Sequence, residues 1–306
     1  MNWTALIGVF SETKNEITFK GKKITLENAE SRSDFATIMS DQYFSGGKIS
    51  AEIMFKNIDT ILANQCEIIL YYDPNTRNFV SAGLGGSFSM YSIRSFTNKW
   101  ENHGLSGTYA NLKINKYYKV EVELKGSKVI LTVDGIIVLM TTLPFVVPIS
   151  QVGLFCLGTG NILIKNYKVH SEKPKAFVVM QFSSPFNELY IDVIKPICDE
   201  FKLNVLRADE TYGPGLIIAD ITKEISESRV VIAEISPSNS NVYYEVGYAH
   251  GLNKPTILIA EKSIKLPFDV SPFRTLFYEN SIAGKKQVEE GFKKHISAVL
   301  SDRDVF

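Results

Sequence analysis

The chain has 306 residues, enough for two domains at about 100–200 residues each. Lys plus Arg and Asp plus Glu both number 33, so the net charge is zero and no global basic field attracts nucleic acid or an anionic membrane surface. The three cysteines (Cys66, Cys156, Cys198) and four histidines (His103, His170, His250, His295) are scattered, without C-x-x-C or H-E-x-x-H spacing, so neither a disulfide framework nor a metal site is expected.

Residues 1–10 do not resemble a signal peptide, and there is no apolar run of about 18 residues or more. The expectation is a cytoplasmic protein with no membrane partner, no direct nucleic-acid partner and no cofactor. The first ~170 residues read as β structure. Residues 48–55 are strand-like. Residues 67–72 form an apolar run that stops at the turn cluster Asp73-Pro74-Asn75. Residues 118–124 alternate, with Lys119, Glu121 and Glu123 on one face and Val120, Val122 and Leu124 on the other. Gly126-Ser127 turns the chain into residues 128–133, and Asp134-Gly135 is a two-residue hairpin signal. Two more strands, 151–157 and 161–169, flank Gly158-Thr159-Gly160. Many short strands with regular turns predict an all-β sandwich. Trp3, Trp100 and the Tyr and Phe residues of this half are expected in its core.

The segments Tyr118-Lys119-Val120-Glu121-Val122, Val129-Ile130-Leu131-Thr132-Val133-Asp134-Gly135 and Gln151-Val152-Gly153-Leu154-Phe155 resemble the concanavalin-like (laminin-G-like) jelly roll. The resemblance implies a fold for residues 1–170 and does not fix a function. The polar segment Ser171-Glu172-Lys173-Pro174-Lys175 is the expected junction.

From residue 176 the pattern changes. Ala176-Phe177-Val178-Val179-Met180 is a continuous apolar run, as in a strand buried on both faces. Residues 189–201 are helical, with Leu189, Val193, Ile197 and Phe201 at i, i+4 spacing. Strands follow at 203–206, 230–233 and 255–260. Helices are expected around Ile217, Ile221 and Ile225, over 244–252 and over 287–300. Alternating β and α units predict that residues 176–306 form an open, mostly parallel, flavodoxin/Rossmann-like sheet, with ligands at the C-terminal strand ends.

Chemistry concentrates in Val230–Lys254. A buried strand delivers Glu234 at its end. A loop of Ser236, Pro237, Ser238, Asn239 and Ser240 follows, and Asn241 to Tyr244 lead into a helix. Glu245 is expected near that helix's first turn, held ionised by the dipole and free N–H groups, as attack on an anomeric carbon requires. Asp209, Glu210 and Asp220, the last in the helix after Tyr212-Gly213-Pro214-Gly215, are expected at the same edge. Phe182 is positioned to stack on a base and Arg207 to pair with a phosphate. Asn241 and Tyr244 are further candidate substrate contacts.

The elements Phe177-Val178-Val179-Met180-Gln181-Phe182, Arg207-Ala208-Asp209, Asp220-Ile221, Val231-Ile232-Ala233-Glu234 and Tyr244-Glu245-Val246-Gly247-Tyr248-Ala249 resemble the nucleoside 2-deoxyribosyltransferase-like superfamily, with its more distant TIR-like N-glycosidases. The resemblance implies cleavage of an N-glycosidic bond in NAD or a related nucleotide, with Glu245 as nucleophile and Glu234 and Asp220 as further catalytic acids. The order of the two halves also resembles prokaryotic antiviral effectors, in which a TIR-like unit is joined to a sensor. Zero net charge, together with a first half that shows no evident catalytic set, predicts a homo-oligomer with an activating ligand on that half. The alternatives are a nucleoside-monophosphate N-glycosidase or deoxyribosyltransferase of nucleotide metabolism, and a nucleotide sensor without turnover.

Overall fold

Fifteen strands precede Pro174 in the computed structural model, which describes the chain apart from residues 14, 28–29, 60, 87–88, 211–216, 237 and 302–306. The segment 212–215 and Pro237, singled out above, therefore lie outside the described residues. In chain order the strands are β1 (Trp3–Ile7), β2 (Phe10–Glu12), β3 (Glu16–Lys20), β4 (Lys23–Thr25), β5 (Ser31–Phe44), β6 (Gly47–Phe55), β7 (Asn64–Tyr72) and β8 (Phe79–Gly86). They continue as β9 (Ser89–Phe96), β10 (Trp100–Thr108), β11 (Tyr117–Lys125), β12 (Lys128–Val133), β13 (Ile136–Thr142), β14 (Ser150–Gly158) and β15 (Asn161–Ser171).

They build two antiparallel sheets. One runs β1-β5-β14-β7-β8-β9-β10, with β4 also on β5; the other runs β13-β12-β11-β6-β15-β3-β2. Between them lie Ile38, Ile53, Ile68, Val120, Leu131 and Leu154, all buried. In β11 the alternation works as read: Val120, Val122 and Leu124 enter this core, and Lys119 is exposed. Asp134 and Gly135 both take positive φ (51° and 83°), the two-residue hairpin geometry whose twist matches the strands. Asp134 also accepts a hydrogen bond from the Lys119 backbone N–H at 2.9 Å, pinning the turn to β11.

The eight-stranded sheet is covered on both faces along two of its strands. β7 and β8 are buried almost throughout. Their outward face carries a second apolar cluster of Met39, Ile69, Phe79 and Phe155. Trp100, expected in the core, instead belongs to this outer face and remains 38% exposed.

After Pro174 the described strands are β16 (Lys175–Val179), β17 (Asn204–Arg207), β18 (Val230–Glu234), β19 (Thr256–Glu261) and β20 (Thr275–Tyr278). They form one parallel sheet in the order β17-β16-β18-β19-β20. Between β16 and β17 the chain forms α1 (Phe186–Leu189), a π-helical stretch over Tyr190–Ile194, and α2 (Lys195–Glu200). Then come α3 (Ile217–Glu227), α4 (Ser240–Gly251) and α5 (Ile282–Ser301). One sheet face packs on Ile194, Ile197 and Phe292, and the other on Ile225, Val242 and Val246, so helices cover both faces. This double burial explains the unbroken apolar runs of β16 and β18.

The two halves touch. Arg229, buried at the start of β18, donates from Nη1 to the Val147 carbonyl at 2.8 Å. Asn253 Nδ2 donates to the Pro144 carbonyl at 3.1 Å, and Lys128 Nζ lies 3.6 Å from Glu227. At Gly126, with φ +59°, an added Cβ would sit 2.6 Å from the Ser228 carbonyl oxygen. Among the described residues no helix is long and apolar enough to cross a membrane.

Candidate active site

Chain direction in the parallel sheet selects one place for a ligand. β17 pairs on one side of β16 and β18 on the other, so the strand order reverses there and a crevice opens beyond the C-terminal strand ends. A cleft of about 710 Å³ occupies this position. Met180, Gln181 and Phe182 line it just past β16, Ala208 and Asp209 past β17, and Asn239, Asn241, Val242, Tyr244 and Glu245 from the start of α4. Helix α3 contributes Ile217, Ile218 and Ile221.

Glu245 is the central group. It is 8% exposed, it lines the cleft, and among the described residues its carboxylate has no hydrogen bond or ion pair. Burial pushes its pKa up to about 7. The expected depression by the helix dipole is not found. Asn239, not a later residue, caps α4, its side chain accepting from the Asn241 backbone N–H at 3.0 Å. The helix therefore starts at Ser240 and Glu245 falls in its second turn, beyond the reach of the free N–H groups, so desolvation dominates.

Phe182, just past β16, and Tyr244, on α4, both line the cleft and are 48% and 56% exposed. Asn241 is exposed beside them.

Arg207 takes a different role from the expected phosphate contact. It is buried, and its Nε and Nη2 donate to the two carboxylate oxygens of Asp209 at 2.6 and 2.7 Å. Nη1 donates to Asn187 Oδ1 at 2.8 Å. The guanidinium also lies 4.5 Å from the Tyr190 ring centroid and 5.4 Å from that of Phe182. Each of the three guanidinium nitrogens thus has a protein acceptor, and Arg207 orients Asp209. Glu210 turns inward, accepting from Tyr190 Oη at 2.9 Å and from the Arg207 backbone N–H at 3.1 Å.

Glu234 and Asp220 do not join Glu245. Glu234 ends β18 as expected but is fully buried and does not line the cleft. Its Oε1 accepts from the Ser236 backbone N–H (3.2 Å), the Ser236 hydroxyl and Tyr278 Oη (3.2 Å). Its Oε2 is buried without a partner among the described residues, and burial raises the pKa to about 7. Tyr278, at the end of β20 two strands away, reaches across to this carboxylate. Asp220 is half-buried on α3, whose cleft-lining residues are the isoleucines.

In the sequence Ile217 and Ile221 only mark a helix, and the isoleucines were not counted as site residues; Ile217 and Ile218 are 77% and 43% exposed.

A scan against protein-family models and a search of curated proteins found no match. Among solved structures, a carbohydrate-binding module from Bacillus subtilis is similar at 16% identity and TM-score 0.44, over 54% of this chain and 92% of its own. A Bacillus subtilis protein of galectin-like fold gives 10% identity and TM-score 0.38 over 56% and 89%. The TIR domain of a Toll-related receptor from Hydra magnipapillata gives 16% identity and TM-score 0.34 over 42% and 98%.

Proposed function

We propose that the cleft binds NAD or a related nucleotide and cleaves its N-glycosidic bond, with Glu245 stabilising or attacking the developing positive charge at C1′. The observation that carries this reading is a single buried carboxylate, free of protein partners among the described residues, that opens on a cleft lined by two rings. Phe182 and Tyr244 suit a planar base. The N-terminal turn of α4, with its positive dipole end, is the feature suited to phosphate, because Arg207 is committed to Asp209.

The placement of the acids favours NAD over a neutral nucleotide. A neutral base needs a proton donor as its bond to C1′ breaks, whereas nicotinamide leaves by taking the bonding electron pair onto its cationic ring nitrogen. Of the two expected donors, Glu234 is walled off by Ser236 and Tyr278, and Asp220 does not line the cleft. Water then adds at C1′ and releases a proton, for which ionised Glu245 is the acceptor. Turnover should therefore rise with pH through about 7, as Glu245 loses its proton. In this reading residues 176–306 are the catalytic unit of a prokaryotic defence effector. The sandwich serves as its sensor or assembly surface, within a homo-oligomer.

The test is release of nicotinamide from NAD, and of free base from a panel of nucleoside monophosphates, by the wild type and by Glu245→Gln. The variant should lose on the order of 10³-fold or more in turnover while remaining folded. Near-normal turnover in a folded Glu245→Gln protein refutes the assignment. Release from monophosphates but not NAD moves the nucleotide N-glycosidase reading ahead. Binding without release from any substrate moves the sensor reading ahead.

A further inference from the structure

The outer face of the eight-stranded sheet holds a cavity of about 650 Å³, far from the catalytic cleft in the chain and built from different elements. Its size falls in the range of small-molecule sites, about 300–1,000 Å³. Four rings form its walls. Phe79 and Phe96 stack at 5.6 Å between centroids, and Trp100 meets Phe79 and Phe155 edge-on, each at 5.4 Å. Trp100 and Leu105 remain 38% and 50% exposed at its edge.

The floor is polar. Arg94 lines it, with its guanidinium 4.1 Å from the Trp100 ring centroid. Beneath the rings, Arg94 pairs with buried Glu67 and donates to Gln65 Oε1 at 2.6 Å. Ser81 and Ser92 donate to the two Glu67 oxygens at 2.7 and 2.6 Å. Arg94 is 7% exposed, and its Nε has no partner among the described residues. Burying an ion pair costs more than burying apolar side chains of the same volume, so a sandwich needing only stability has little use for this one. The lining contains Arg77 and Arg94 and no Asp or Glu.

We propose that this cavity is a ligand site for a small planar aromatic or heterocyclic molecule bearing one anionic group. Its ring would lie against the cavity-facing side of the Phe79, Phe96, Trp100 and Phe155 cluster, and its anion would meet Arg77 at the rim or the guanidinium edge of Arg94. A free sugar is a poorer match, since the lining has no carboxylate and one of its two amides, Gln65, is engaged by Arg94, leaving Asn102 as the other. The proposal stands whether or not the cleft turns over a nucleotide.

The test uses the full chain and 1-anilinonaphthalene-8-sulfonate, a fluorescent aromatic sulfonate of this class. It should bind saturably with one site per chain, and energy transfer from tryptophan should fall sharply in Trp100→Phe. Leu105→Trp, which narrows the cavity, and Arg77→Glu, which reverses the rim charge, should each weaken binding about fivefold or more. Neither touches the sandwich core or the Glu67–Arg94 pair, and equal thermal transitions confirm folding. Tyr244→Ala, in the other cleft, should leave the titration unchanged. Non-saturating binding, or a titration that responds to Tyr244→Ala and not to Leu105→Trp or Arg77→Glu, overturns the proposal.

Discussion

Replacing Glu245 by Gln should stabilise the protein, and by an amount that grows with pH. The carboxyl has a pKa of 4.5 when free and about 7 in the folded chain, because burial disfavours its charge. A group of this kind binds its proton more tightly when folded. The associated stability is fully present below the free value and is lost as pH rises toward about 7. The complete move is worth about 3 kcal/mol. Water at the mouth of the cleft screens part of it, leaving ~1–2 kcal/mol. Glutamine keeps the shape and cannot ionise, so it escapes this loss. Glu234 titrates in the same range but is present in both proteins and cancels in the difference. The assay is thermal unfolding of both proteins between pH 5 and pH 8. The variant should gain about 2–6 °C over the wild type at pH 8 and much less at pH 5. A difference that is constant with pH, or that shrinks toward pH 8, refutes the argument that desolvation governs this carboxyl.

Arg207→Ala should destabilise by about 1–2 kcal/mol, since Asn187 and the solvent-accessible Asp209 lose their hydrogen bonds to the cation, and should weaken nucleotide binding as Phe182 loses its neighbouring guanidinium; chemical denaturation and a binding isotherm check both. Arg229→Ala should cost about 1–3 kcal/mol by leaving the Val147 carbonyl unpaired between the two halves, and separate unfolding transitions for the halves should become visible in calorimetry.

Local patterning made much of this molecule legible. The β11–β12–β13 meander follows from strict alternation and a two-residue turn, both local in the sequence. β16 and β18 announced themselves as unbroken apolar runs, and Asp209, Asn241, Tyr244, Phe182 and Glu245 all reached one cleft. Pairings between distant segments could not be read. Glu67 sits in a run taken simply as apolar, and its partner Arg94 lies 27 residues away on another strand. β20, only four residues long, gave no period to detect, and with it the Tyr278 hydroxyl on Glu234 went unseen. The direction of the Glu245 shift turned on where α4 begins, and an error of a few residues there exchanged dipole control for burial.

Helix α3 has a consequence that follows from its two ends. Eleven residues make a rod about 16 Å long. At one end Ile217, Ile218 and Ile221 form a wall of the cleft. At the other, Glu227 faces Lys128, and the Ser228 carbonyl beyond it lies so close to the Gly126 turn that no side chain fits between them. A larger residue at position 126 would push against the foot of the rod, and the wall at its far end would feel the displacement. The sandwich is thus a mechanical abutment for one side of the cleft, and cutting the chain at Pro174 would remove the surface against which that side is braced.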